Sequence, residues 1–148
     1  MKTVADILRS KARPQNVIDG HAKVIEALVM MNSVNLSYLV VMEDEHFKGI
    51  FSERDYTRNV ILKGRTSDTC EVEEAMTTNL PSVSRGDTVE TCMNMLDAYK
   101  VRYLPVFDGA EFIGVVTLND VLRQVIHSKE DIFDELLNKW ADQGDKIF

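Results

Sequence analysis

Displaced by 65 positions, the sequence matches itself: residues 18–61 fall on 83–126 without a gap, and 11 of the 44 pairs are identical. A chance match of core positions would pair only apolar residues. Here Gly49 also meets Gly114, Asp55 meets Asp120 and Arg58 meets Arg123. A chain built from two copies of one unit must fold as two versions of one supersecondary motif. With 148 residues, the copies form either one compact domain or two small ones.

Each copy carries the same pattern. Val24, Ala27, Leu28 and Met31 recur at helical spacing, as do Val89, Cys92, Met93 and Leu96. Strands rich in Val, Leu and aromatics follow at residues 38–42 and 103–107, then turns at 43–46 and at Asp108-Gly109-Ala110. Asp-Gly favours a hairpin because both residues tolerate positive φ. Second strands are expected at 47–51 and 112–116, and second helices from Ser52 and Thr117 to about Lys63 and His127, with Gly64 placed to end the first. Short strands at 16–18 and 82–84 complete a β-α-β-β-α order, a mixed α/β (α+β) fold. Short helices at 4–10 and 71–76 lead into the copies, and 64–70 is the polar connection between them. Residues 1–65 are read as the first repeat with its lead-in helix and 66–128 as the second. Residues 129–148 form an amphipathic helix and tail, with Ile132, Phe133, Leu136, Leu137 and Trp140 on the apolar face, which is expected to dock on its own domain.

Composition removes whole classes of function. Seventeen basic residues stand against 24 acidic ones, a net charge of −7, whereas nucleic-acid binding needs a basic face. The longest apolar runs, 27–31 and 38–42, are five residues, against the ~20 that span a bilayer. Asp6 and Arg9 interrupt the apolar N-terminal patch, so no signal peptide is expected. Cys70 and Cys92 have no metal-ligand spacing and read as small apolar residues, which fits a cytoplasmic setting. His21, His46 and His127 fall at unrelated repeat positions and read as surface histidines, while Glu73-Glu74 and Asp44-Glu45 read as solvated surface. No HExxH, GxSxG or P-loop is present. A non-enzymatic protein without catalytic residues or a resident metal is expected.

The most informative stretch is Gly49-Ile50-Phe51-Ser52-Glu53-Arg54-Asp55, echoed by Gly114-Val115-Val116-Thr117-Leu118-Asn119-Asp120. Its plainest meaning is a capping box, with the hydroxyl at the N-cap and Asp at the third helical position. Beyond that, a helix N-terminus offers N–H groups and a positive dipole end to a phosphate. The Asp one turn further on can accept from a ribose diol. Residues 52–65 also hold four cations (Arg54, Arg58, Lys63, Arg65) against two carboxylates, a local +2 that leaves −9 for the rest of the chain.

Leu39 and Val41 before Gly49, Leu104-Pro105-Val106 before Gly114 and the paired Gly-x-x-[Ser/Thr]-x-x-Asp motifs resemble tandem cystathionine-β-synthase-type (CBS) domains over residues 3–127. Residues 4–11 and 49–58 are similar to small stand-alone bacterial members. The resemblance implies two repeats packed sheet to sheet about a pseudo-twofold axis, with adenine nucleotides in the clefts between them. AMP leads, with ADP, ATP and NAD(H) as further ligands and a ligand-free dimerisation scaffold as the alternative. It assigns Asp55 and Asp120 to the ribose hydroxyls, and Ser52 and Thr117 to ribose or phosphate. Val17, Ile18 and Val83 flank the adenine. Arg54, Arg102 and Lys11 reach the phosphates. Asn119 in place of Arg54 makes the clefts differ; Ala12 stands where Gly is frequent, and Tyr38 and Tyr103 narrow the space. A homodimer is expected, engaging residues 24–34 and 89–99 and their downstream helices, with Phe133 and Trp140. Met30 and Met95 are expected to face outward, about 100° from the core stripe. An effector protein is a further expected partner.

Overall fold

The computed structural model describes residues 2–11, 16–127 and 130–142. The chain divides into two compact units, one of Lys11–Leu80 and one joining Met1–Ser10 to Pro81–Phe148.

In the Lys11–Leu80 unit, β1 (Val17–Asp19) pairs parallel with β2 (Tyr38–Glu43), which pairs antiparallel with β3 (His46–Ser52). The β2–β3 turn places Asp44 and Glu45 at φ 50° and 65°. Two successive positive φ values match the right-handed twist of a hairpin. Helix α2 (Val24–Val34) ends on Asn35 in the left-handed region and lays Val24, Ala27 and Met31 against Leu39, Val41 and Phe51. The chain then enters α3 (Glu53–Asp55), a π-helix (Tyr56–Ile61) and α4 (Val72–Ala75). The wide turn is recorded by Leu62 N donating to Thr57 O at 3.0 Å and Arg65 N to Val60 O at 2.9 Å. Thr57 Oγ1 back-bonds to Glu53 O, a side-chain bond that competes with regular α-helical pairing, and Asn59 Nδ2 donates to Ala75 O at the end of α4.

The other unit repeats this plan with α1 (Val4–Ser10), α5 (Val89–Tyr99), β4 (Tyr103–Asp108), β5 (Glu111–Thr117), an unbroken α6 (Leu118–His127) and α7 (Glu130–Asp142). Its core gathers Val4, Ile7, Val83, Cys92, Leu96, Leu104, Val106, Val116 and Val121. The strand expected at 82–84 reduces to a single bridge, Val83 to Val106. In the first copy Val40 N donates to Asn16 O at 2.7 Å; the corresponding residue in the second is Pro105, which has no N–H.

The lead-in helices are exchanged relative to the reading that placed 1–65 and 66–128 in separate units. Val4 N and Ala5 N donate to Asp87 O and Arg85 O, while Val72 N and Glu73 N donate to Ala22 O and Gly20 O. The signature glycines make room for these crossings. A Cβ on Gly49 would lie 2.6 Å from Thr77 O, and one on Gly114 would lie 2.9 Å from Leu8 Cδ2. Met30 and Met95 are partly buried against the two cores rather than turned outward, because the flexible thioether chain fills the core edge. The large apolar side chains left exposed include Ile25, Val29, Ile61, Leu62, Tyr99 and Ile126. On α7, Leu136 and Trp140 are half-buried and Leu137 is exposed; the Phe133 side chain, Ala12 and the tail beyond Asp142 lie outside the described residues. Among the described residues no helix is long and apolar enough to cross a membrane.

Candidate functional site

The two motifs sit at equivalent strand-to-helix junctions. Ser52, the last residue of β3, is extended (φ −123°, ψ 169°), and its Oγ accepts from Asp55 N at 3.3 Å. In return Ser52 N and Oγ both donate to Asp55 Oδ2 at 2.9 Å. Thr77 Oγ1 donates to the other oxygen, Asp55 Oδ1, at 2.6 Å. In the second repeat Thr117 N donates to Asp120 Oδ2 at 2.9 Å and Asp120 N to Thr117 Oγ1 at 3.1 Å, while Arg123 pairs with Oδ1. Both carboxylates are buried. The capping box is therefore present twice, and it satisfies donors that would otherwise be orphaned at the helix start.

Glu53 N donates to Ser37 O at 3.1 Å and Leu118 N to Arg102 O at 2.9 Å. With Asp55 N and Asp120 N capped by the hydroxyls, the helix start offers fewer uncommitted N–H groups than the sequence suggested. The positive charge at the junction therefore rests mainly on side chains. Arg54 and Arg58 are exposed and have no ion-pair partner among the described residues. Asn119 is exposed at the position equivalent to Arg54, and Arg123, the counterpart of Arg58, is tied to Asp120. Arg102 is exposed and Lys11 half-buried. Of the three apolar residues assigned to a base, Val17 is 45% exposed, Ile18 packs at the edge of its core and Val83 is buried within the other core. Tyr38 is buried and Tyr103 half-buried.

The family model for the CBS domain matches the chain twice, over residues 4–61 and 72–127. The chain belongs to the CBS-domain family. It is 30% identical to the mitochondrial CBS domain-containing protein CBSX3 of Arabidopsis thaliana over 146 residues, which covers 90% of this chain and 69% of that protein. A protein with CBS domains from Burkholderia ambifaria superposes with a TM-score of 0.81 at 32% identity, covering 87% of this chain and 97% of the other. The CBS domain pair of protein MJ0100, solved with 5′-methylthioadenosine and S-adenosyl-L-methionine, shares the fold at a TM-score of 0.73 and 22% identity, covering 86% and 98%.

Two features of this CBS-domain chain escaped the sequence reading. Thr77 reaches Asp55 across 22 residues, a pairing with no local signal. His21 is clasped by carboxylates from distant segments: Nδ1 lies 3.1 Å from Glu71 Oε1 and 3.5 Å from Glu73 Oε1, and Nε2 lies 3.1 Å from Glu43 Oε1. The hydrogen bond to Glu71, then that to Glu43, lifts the imidazole pKa to about 9. Burial pushes the Cys92 thiol up to about 11 and raises that of Cys70, in keeping with inert core thiols.

Proposed function

We propose that this CBS-domain chain is a non-enzymatic regulatory module that binds an adenosine-containing ligand, AMP first among them, at the Gly-x-x-[Ser/Thr]-x-x-Asp junctions. The carrying observation is the pair of exposed, unpaired guanidiniums, Arg54 and Arg58, beside a buried hydroxyl–carboxylate pair in the first repeat. A carboxylate has about four lone-pair sites. Three named donors reach Asp55, so it keeps capacity for one ribose hydroxyl. Arg54 and Arg58 then meet the phosphate in charge-assisted hydrogen bonds. Val17, with its exposed surface, lies against the base. In the second repeat Thr117, Asn119, Asp120 and Arg102 form a weaker counterpart that favours a nucleoside over a nucleotide. Ile18, Val83 and Lys11 have supporting roles.

The test is a thermal-shift panel of AMP, ADP, ATP, NAD, NADH and S-adenosylmethionine. Saturation at 100 times Kd adds about 2.7 kcal/mol of stability. A response led by AMP supports the reading, and a flat response across the panel replaces it with a ligand-free scaffold.

A second reading concerns assembly. Ile25 and Val29 on α2 are 44% and 63% exposed, and Ile61 and Leu62 are 50% and 73% exposed. Exposed apolar surface of this kind marks interaction sites, and closed twofold dimers are the commonest soluble assembly. Light scattering returning twice the chain mass at micromolar concentration supports a homodimer; the mass of one chain removes it.

A further inference from the structure

His21, Glu43 and Glu73 come from three separate places: the turn after β1, the end of β2 and the first turn of α4. Each offers a ligand atom, and these atoms all lie within 4.8 Å of one another. Glu71 Oε1 faces Nδ1 of the same imidazole. Three carboxylates thus converge on one ring in a chain that already carries −7. Lys23, 3.9 Å from Glu71, is a second cation at the cluster. When the imidazole is neutral, Lys23 offsets one of the three carboxylates and leaves two, the charge of a divalent ion.

We propose that His21, Glu43 and Glu73 form a binding site for a divalent transition-metal ion of the zinc class. One ring nitrogen and two carboxylate oxygens are a borderline donor set suited to zinc, nickel or cobalt, whereas magnesium and calcium take oxygen ligands. Nε2 faces Glu43 whereas Nδ1 faces both Glu71 and Glu73, so whichever ring nitrogen bonds the ion, the other keeps a carboxylate beside it. An imidazole whose second nitrogen is held by a carboxylate is fixed in tautomer and orientation, which strengthens it as a ligand. The side chains are 60%, 33% and 38% exposed for His21, Glu43 and Glu73, so an ion has an open path from solvent. Bound there, it fastens the start of α4 to the end of β2, within one unit.

The second repeat is a built-in control. Gly86 stands in place of His21, and the carboxylate equivalent to Glu43, Asp108, pairs with Arg85. That repeat has no imidazole at this position and is expected to hold no ion.

The experiment titrates the full chain with zinc chloride by calorimetry, with circular dichroism confirming that each variant is folded. One ion per chain is expected, and it raises the melting temperature. His21→Gln and Glu73→Gln each weaken binding by at least about tenfold, Glu71→Gln by about tenfold through loss of the orienting bond, and His46→Gln leaves it unchanged. No binding by the parent chain overturns the proposal. So does equal affinity in the parent, His21→Gln and Glu73→Gln, which would mark an adventitious ion only.

Discussion

Asp55 and Asp120 occupy the same place in their repeats, yet Asp55 accepts from the Thr77 hydroxyl and Asp120 from the Arg123 guanidinium. The exchange decides the fate of the repeated arginine. In the first repeat a neutral donor completes the carboxylate and Arg58 stays exposed; in the second the same arginine is consumed internally. Adding Arg54 against Asn119, the first motif keeps two uncommitted cations and the second, at the same two positions, keeps none. Duplication preserved the helix cap and let the charge around it diverge.

The largest effect expected from testing this comparison is at the glycines. A methyl on Gly49 meets the Thr77 backbone carbonyl, which cannot move without breaking both Ile50–Thr77 hydrogen bonds, whereas one on Gly114 meets the end of the flexible Leu8 side chain. Gly49→Ala should therefore cost about 3 kcal/mol and Gly114→Ala about 1 kcal/mol by chemical denaturation. Equal costs would show that the two crossings are equally tight.

Next is the donor swap. Thr77→Val leaves a buried carboxylate oxygen without its hydroxyl donor and should cost roughly 1.5–3 kcal/mol. Arg123→Gln removes a guanidinium that is 59% exposed from Asp120, so water replaces much of what is lost and the cost should stay below about 1 kcal/mol. A larger loss from Arg123→Gln would reverse the ranking of the two junctions.

A smaller effect separates the repeats by pH. His21 has no counterpart in the second repeat, and its pKa is raised from 6.5 to about 9. A raised folded-state pKa favours the protonated folded form. The stabilisation is complete below pH 6.5, declines as pH rises, and is gone once pH passes about 9. In metal-free buffer, His21→Gln should flatten the melting profile between those limits, and an unchanged profile would remove the ion-pair clasp.

Much of this was legible along the chain because the signals are local. The 65-residue displacement, the helical spacing of Val24, Ala27 and Met31, and Asp108-Gly109 mark elements whose bonds close within a few residues. Pro105 was equally visible, and its missing N–H accounts for the second copy having a single bridge where the first has a strand. What escaped depends on contacts between distant segments. No periodicity tells α1 to pack near Gly114 or α4 near Gly49, and nothing near His21 signals Glu43, Glu71 or Glu73. The motif Asp residues were read correctly as caps. Their third partners, Thr77 and Arg123, could be separated only in three dimensions, although the identity of Arg58 and Arg123 was itself a hint.

The central claim is that the first repeat reads a phosphate through its uncommitted cations, and the direct measurement is calorimetric titration of AMP and adenosine into the parent chain, Arg54→Gln and Arg102→Gln. The parent should bind AMP more tightly than adenosine. Arg54→Gln should remove most of that difference by weakening AMP alone, worth roughly 1.5–3 kcal/mol, and should flatten the salt dependence, while Arg102→Gln has the smaller effect. Equal losses for AMP and adenosine in Arg54→Gln, or no preference for AMP in the parent chain, would contradict it.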